Sequence, residues 1–248
     1  MLQGEVLRLD FGRVPYRPVW AFQQALAAAV AGGLAPEAFL LLEHEHVYTF
    51  GRGGNLAHLL ASPEALGSLG ADVVLSDRGG DATYHGPGQI VGYLILSLRR
   101  RGIDAHRFVR GVEEIILQAL AGWGITGERI AGLPGIWVGR HKIAAIGIRV
   151  SRGVSYHGFA LNVNTDLSYF QHIVPCGIQG RGVTSMQREL GRAVPLEAVR
   201  AALAAACATV FTLHLRQPAP PELALLQDLG LAPHWLLPSL PSCTSHTT

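Results

Sequence analysis

The chain has 248 residues and a mass of 26.5 kDa, enough for one large domain or two modest ones. Hydrophobic residues make up 49% and charged residues only 15%, which excludes a disordered chain, and a formal charge of +2 is too small for the basic footprint of a nucleic-acid binder. The uncharged run from Pro18 to Pro36 is interrupted by Gln23, Gln24, Gly32 and Gly33, so no membrane span is expected there. The start, Met-Leu-Gln-Gly-Glu, lacks the layout of a signal peptide, and Cys176, Cys207 and Cys243 form no disulfide framework. A cytoplasmic location is the expectation.

In chain order, Val6, Leu7 and Leu9 suggest a first strand, and Pro15 to Ala31 a helix with Val19, Phe22, Leu26 and Val30 near helical spacing. Phe39 to Phe50 reads as strand, tight turn, strand. The short apolar run Ala71 to Asp77 precedes a glycine-rich loop, Arg78 to Gly88, and a largely buried strand, Gln89 to Leu98. Asp104 can cap a helix running to about Trp123, with Phe108, Val112, Ile115, Ile116 and Leu120 on one face. Ile136 to Val138, Lys142 to Val150 and Val154 to Val163 read as consecutive strands, and Pro195 opens a last alanine-rich helix to about Leu215. Strands in runs with helices grouped around them predict an α+β fold, a mixed sheet flanked by helices. Two units are expected: a main domain over 1–216 and a proline-rich extension over 217–248, with a short docked helix near Pro220 to Leu231 and a partly disordered end.

Lys142 is the sole lysine among 20 basic residues, and lysine, unlike arginine, can lose its proton when buried. The segment from Arg78 to Gln89 is dense in glycine and in polar side chains, the composition of a loop that approaches a ligand closely. It lacks the Gly-Lys-Ser/Thr of a P-loop, and Gly51-Arg52-Gly53-Gly54 reads as a turn. Cys176 lies between Pro175 and Gly177 in a predicted loop, where a thiolate can be reached, whereas Cys207 sits in an alanine-rich helix as a small hydrophobe and Cys243 in the tail. His44 and His46 would share one side of a strand, but no metal-ligand spacing accompanies them, so no metal is expected. No Gly-x-Ser-x-Gly elbow supports a serine hydrolase.

Four stretches taken together resemble a known family. Arg78-Gly-Gly-Asp-Ala-Thr-Tyr-His-Gly-Pro-Gly-Gln89, Lys142-Ile-Ala-Ala-Ile-Gly147, Tyr156-His-Gly-Phe-Ala-Leu-Asn162 and Pro175-Cys-Gly177 with Thr184-Ser185 are similar to the lipoyl(octanoyl) transferases, over roughly Leu2 to Leu215. Ala82, where valine is frequent in the family, is a mild departure. The resemblance implies that the 1–216 unit is the catalytic domain, with a biotin/lipoate protein ligase-like catalytic fold and no cofactor. It also implies transfer of an octanoyl group from octanoyl-acyl carrier protein, through a cysteine thioester, to a lysine of lipoyl domains. The acceptors it implies are 2-oxoacid dehydrogenase complexes and the glycine cleavage H protein. By the same resemblance Cys176 is the nucleophile and Lys142 the base. Substrate-contacting residues fall on Arg78, Gly79, Gly80, Asp81, Ala82, Thr83, Tyr84 and His85, on Ala145, Ile146 and Gly147, and on Gly158, Phe159 and Ala160. The small residues after Lys142 would leave room for a chain of methylenes, each contributing ~0.8 kcal/mol when buried. Arg99, Arg100 and Arg101, with Arg107 and Arg110, form the most basic stretch and are the expected docking patch for an acidic carrier protein. An ATP-dependent lipoate or biotin ligase and a non-catalytic lipoyl-domain binding module are the alternatives.

Overall fold

The computed structural model describes residues 4–174 and 181–238. Strand β1 (Glu5–Val14) leads into helix α1 (Tyr16–Ala31), β2 (Ala38–His44) and β3 (Val47–Phe50); after α2 (Pro63–Leu69) come β4 (Asp72–Leu75), β5 (Ala82–His85) and β6 (Gln89–Ile95). Helices α3 (Leu98–Arg101) and α4 (Ala105–Ala121) precede β7 (Glu128–Ile130), β8 (Leu133–Val138), β9 (His141–Ser151) and β10 (Val154–Asn162). Short β11 (Gly182–Val183), α5 (Met186–Leu190), α6 (Leu196–Phe211), β12 (His214–Arg216) and α7 (Pro220–Asp228) follow.

A large mixed sheet runs in the order β12-β1-β2-β6-β10-β9-β8-β7, with β11 beside β9. Parallel pairing joins β1 to β2 and β12, and β11 to β9; the strands from β2 across to β7 pair antiparallel. Both sides of this sheet are covered, which is why β6 is buried at every position and reads, after Gln89, as an apolar run. On one side, α4 buries Phe108, Val112, Ile115, Ile116 and Leu120 against Val199, Leu203 and Cys207 of α6. The Asp104 carboxylate accepts from the Arg107 amide at 2.7 Å and so starts α4 as expected. On the other side lies α1, with Val19, Phe22, Leu26 and Val30 fully or almost fully buried.

The segment after β12 packs on that same α1 side. Leu226, Leu231 and Trp235 are buried there, Trp235 lies 5.8 Å from the Phe11 ring, and the Leu237 amide donates to the Asp10 carbonyl. Arg216 ties the start of this segment to Glu5 and Glu222. No helix among the described residues is long and apolar enough to cross a membrane.

The hairpin expected over Phe39 to Phe50 is not formed. Strand β2 lies between β1 and β6, whereas β3 belongs to a second sheet of order β4-β3-β5. Glu45 and His46 carry the chain from one sheet to the other, and a continuous apolar run does not encode which partner a strand takes. The loop expected over Arg78 to Gly88 likewise contains β5, four buried residues paired with β3. His44 and His46 do not share a strand face: β2 ends at His44, which is fully buried, and His46 lies beyond it.

Candidate active site

A cavity of about 540 Å³ is lined by residues 78–83 and His85 together with β9 and β10. That volume is in the range of small-ligand sites. Two glycines let the walls meet. A Cβ on Gly147 would lie 2.8 Å from the Gly79 carbonyl oxygen, and the Gly79 amide already donates to the Ile148 carbonyl at 3.1 Å. A Cβ on Gly158 would lie 2.0 Å from the Gly92 carbonyl oxygen, so β10 and β6 approach as they do only because position 158 has no side chain.

Lys142 reaches this cavity through a β-bulge. Ile136 opposes Ala144 and Trp137 opposes Lys142, one step on β8 against two on β9. The extra residue changes the alternation of side chains. Ile143 and Ala144 join the core under α4, while Lys142 lines the cavity with Ala145 and Gly147. The Lys142 side chain is buried, its Nζ 4.8 Å from the centre of the Trp137 ring. Its backbone is fixed on both edges, by Trp137 of β8 and by Val183 of β11, and its carbonyl accepts from the Thr184 amide at 3.0 Å.

Arg78 is buried at the other wall. Its guanidinium donates to the Thr49 hydroxyl (2.9 and 3.1 Å), the Thr49 carbonyl (2.5 Å) and the carbonyls of Gly79 (3.0 Å) and Asp81 (2.6 Å). These bonds from one fork fix the curve of the 78–81 backbone. Asp81 in turn accepts from the Asn55 amide at 3.2 Å and pairs with His58 at 2.6 Å, tying the 55–58 turn to the cavity wall.

Behind Arg78 stands a cluster of buried rings: Tyr16, His44, His85, Tyr93 and His157. Burial, with the Arg78 and neighbouring imidazole charges adding to it, pushes His85 well below the usual histidine range. Burial likewise lowers His44 to about 4 and outweighs the Asp77 contacts in lowering His157. All three are neutral at pH 7, which fixes their hydrogen bonds. The Val14 carbonyl can only accept, so His44 carries its proton on Nδ1 (2.9 Å) and accepts from the Tyr93 hydroxyl on Nε2 (2.7 Å). His157 donates from Nε2 to Asp77 at 2.9 Å and sits at φ +59°, a left-handed conformation that a non-glycine residue adopts at some cost. Asp77 also accepts from the Trp20 indole at 2.9 Å and from the Tyr156 hydroxyl. Burial alone would raise the Asp77 carboxyl, but these donors outweigh it and hold it at about 2.

Of the expected substrate-contacting residues, all but Tyr84 line the cavity. Tyr84 alternates with Thr83 and His85 along β5 and turns away, its ring between Tyr48 and Tyr169 and its hydroxyl 2.8 Å from His46 Nδ1. Tyr16, Tyr93, Val109, Leu133, Pro134 and His157 line the cavity without having been expected there. His157 had a signal, its place in Tyr156-His-Gly158; the others come from elements that only the tertiary fold brings close. Cys176 and Cys243 lie outside the described residues. The two flanks of the Cys176 segment are described: the Val174 amide donates to the His58 carbonyl at 2.8 Å, and Gly182 pairs with His141. Cys207 is buried in α6, and burial pushes its thiol up to about 12, a thiol with no nucleophilic fraction at neutral pH.

The mixed sheet covered on both sides, with its cavity beside the glycine-rich segment, has the fold of the lipoate protein ligases. The chain superposes on lipoate-protein ligase A bound with ATP with a TM-score of 0.74 at 19% identity, covering 91% of this chain and 94% of that one. It superposes on the bi-partite lipoate protein ligase of Thermoplasma acidophilum with a TM-score of 0.71 at 17% identity, covering 92% of each chain. The sequence assigns it further. Residues 15–208 match the Lipoyl protein ligase A/B catalytic domain family. An octanoyltransferase of Rubrobacter xylanophilus is 52% identical over 197 residues, 79% of this chain and 88% of that protein. One from Chloroflexus aggregans is 48% identical over 205 residues, 82% and 93% of the two chains. The chain belongs to the octanoyltransferases of this family and is an acyltransferase.

Proposed function

We propose that the chain transfers an octanoyl group from an acyl carrier protein to a lysine amine of lipoyl domains, by way of a thioester on Cys176. The acceptors are the lipoyl domains of 2-oxoacid dehydrogenase complexes and the glycine cleavage H protein, reached in the cytoplasm. The observation that supports this reading best is the placement of the chain's sole lysine, buried at a cavity whose β9 and β10 walls are built of Ala145, Ile146, Gly147, Phe159 and Ala160. Such a wall suits an alkyl chain, at about 25 cal/mol for each Å² of apolar surface removed from water.

In the first step the Cys176 thiol gives its proton to a base and attacks the donor's thioester carbonyl as thiolate; a new C–S bond forms, the old one breaks, and the carrier leaves as a thiol, taking up that proton. In the second the acceptor amine attacks the acyl-enzyme, an amide forms, Cys176 leaves as thiolate, and the amine's proton passes to a base. Exchange between thioesters is near-isoenergetic and amide formation is downhill, so ATP has no part in it. One cysteine divides a single difficult displacement into two easier ones. Lys142 has two roles open to it, proton acceptor or charge partner of the thiolate. Lys142→Arg separates them, because arginine keeps the charge and cannot act as a base. Acyl-enzyme formation that survives with transfer lost assigns Lys142 to proton removal; full turnover in the arginine variant leaves only the charge. Turnover with octanoyl-carrier protein in the absence of ATP tests the reaction class, and an absolute ATP requirement would replace it with the ligase reaction of the fold's structural neighbours.

A further inference from the structure

Trp137 is a fully buried residue of β8, 1% exposed, that no motif in the sequence singled out. Two cations approach its ring: Lys142 Nζ lies 4.8 Å from the ring centre and the Arg181 guanidinium carbon 5.2 Å. Both distances fall inside the ~6 Å over which a ring face attracts a cation, and indole is the strongest of the aromatic partners. The ring itself is anchored, its Nε1 donating to the Leu133 carbonyl at 3.2 Å. Trp137 and Lys142 are register partners across the bulge in β9, and Arg181 immediately precedes β11, whose Gly182 and Val183 pair with His141 and Lys142. One ring therefore touches the catalytic lysine from one strand and, from another, the first described residue after the segment that carries Cys176.

We propose that Trp137 is a positioning residue for acyl transfer, its ring the common platform that sets Lys142 against the Arg181 end of the cysteine-bearing segment. Contacts with a ring face hold a flexible side chain without neutralising it, whereas a carboxylate in the same place would pair with the ammonium and take it out of use. The platform also gives Arg181 a task that charge alone does not explain. As the chain's other cation at this ring, it fixes the β11 strand beside Lys142 through a contact that depends on the same indole. This role rests on the assignment of Lys142 to catalysis given above.

The test is a double-mutant cycle on the full-length enzyme, reading kcat and KM for the octanoyl donor together with the thermal midpoint. Trp137→Leu fills much of the space without a ring face and is expected to lower kcat roughly 3- to 30-fold with KM little changed. Trp137→Phe restores a face and is expected to recover most of kcat even though its midpoint falls. Arg181→Gln is expected to lower kcat by itself and to add nothing in the Trp137→Leu background, since both act through one ring. Independent, multiplying losses from the two substitutions would overturn the proposal, as would a Trp137→Phe enzyme as impaired as Trp137→Leu. Should the leucine variant fail to fold, Trp137→Phe decides the matter alone: a loss of kcat beyond tenfold in an enzyme still folded at the assay temperature contradicts a ring-face role. Lys142→Ala is measured in parallel. Retained turnover there would refute the catalytic role of Lys142, a result distinct from additivity in the cycle.

Discussion

Asp77 gathers three elements at one carboxylate: Trp20 from α1, Tyr156 and His157 from β10, and its own position one residue before Arg78. Replacing it with asparagine keeps an acceptor oxygen and removes the charge. The carboxyl is drawn from 3.8 to about 2, and at 1.36 kcal/mol per pKa unit the difference of roughly 1.8 units corresponds to about 2.4 kcal/mol. The side chain is 29% exposed, and solvent screening brings the expected effect to ~1–2 kcal/mol. Because the folded value is depressed, this stabilisation is fully present above the unfolded value of 3.8 and is lost as pH falls through about 2. Urea unfolding of the wild type and Asp77→Asn at pH 7, 5 and 3 therefore predicts a stability gap that is constant between pH 7 and 5 and falls by about half at pH 3. A gap of the same size at all three values would mean that the charge is not what stabilises this junction.

Two further outcomes follow from the cavity and the surface. Gly147→Val places a side chain against the Gly79 carbonyl and the Arg78 Cδ, 2.8 and 3.2 Å from the added Cβ. The account expects a stability loss of ~1–3 kcal/mol and a larger proportional loss of octanoyl transfer, read by midpoint and turnover; unchanged turnover would show that the acyl chain does not pass this point. A groove of about 980 Å³ between α3, α4 and the end of α6 gathers Arg100, Arg101, Arg107, Arg110 and Arg129 around Ile103 and Phe211. Arg101 is held by Glu37, Arg110 and Arg129 by Glu113, and Arg100 donates to the Val30 carbonyl at 2.7 Å, so the carrier-docking test falls on Arg107. Arg107→Glu should raise KM for the carrier protein, more at low salt than at high, and an unchanged KM at low ionic strength would dismiss the groove.

Much of this was legible in the sequence. The amphipathic spacing of Phe108 to Leu120 gave α4 with its cap, and the paired strands around Lys142 to Asn162 were found within a few residues of their bounds. Of the cavity-lining segments, Arg78 to His85 carries a local signal, glycine interleaved with polar side chains, that does not depend on the fold, whereas the β9 and β10 segments were reached only through the family resemblance. The bulge that turns Lys142 toward the cavity was not legible. It depends on the register between two strands, and nothing in Lys142-Ile-Ala-Ala says which residue is extra. The separation of β2 from β3 into two sheets was hidden for a related reason, since Phe39 to Leu42 and Val47 to Phe50 are apolar whichever partner they take. Trp137 escaped notice because a tryptophan in a buried strand reads as core until its neighbours are known.

The central claim is that the acyl group rests on Cys176. Intact-mass and peptide mapping of the full chain after exposure to octanoyl-carrier protein, without a lipoyl acceptor, tests it most directly. The account predicts one octanoyl group, hydroxylamine-labile as a thioester, on the peptide containing Cys176, absent from Cys176→Ser and undiminished in Cys207→Ala. Octanoylation at Cys207 or Cys243, or an unmodified protein that nonetheless turns over, would contradict it.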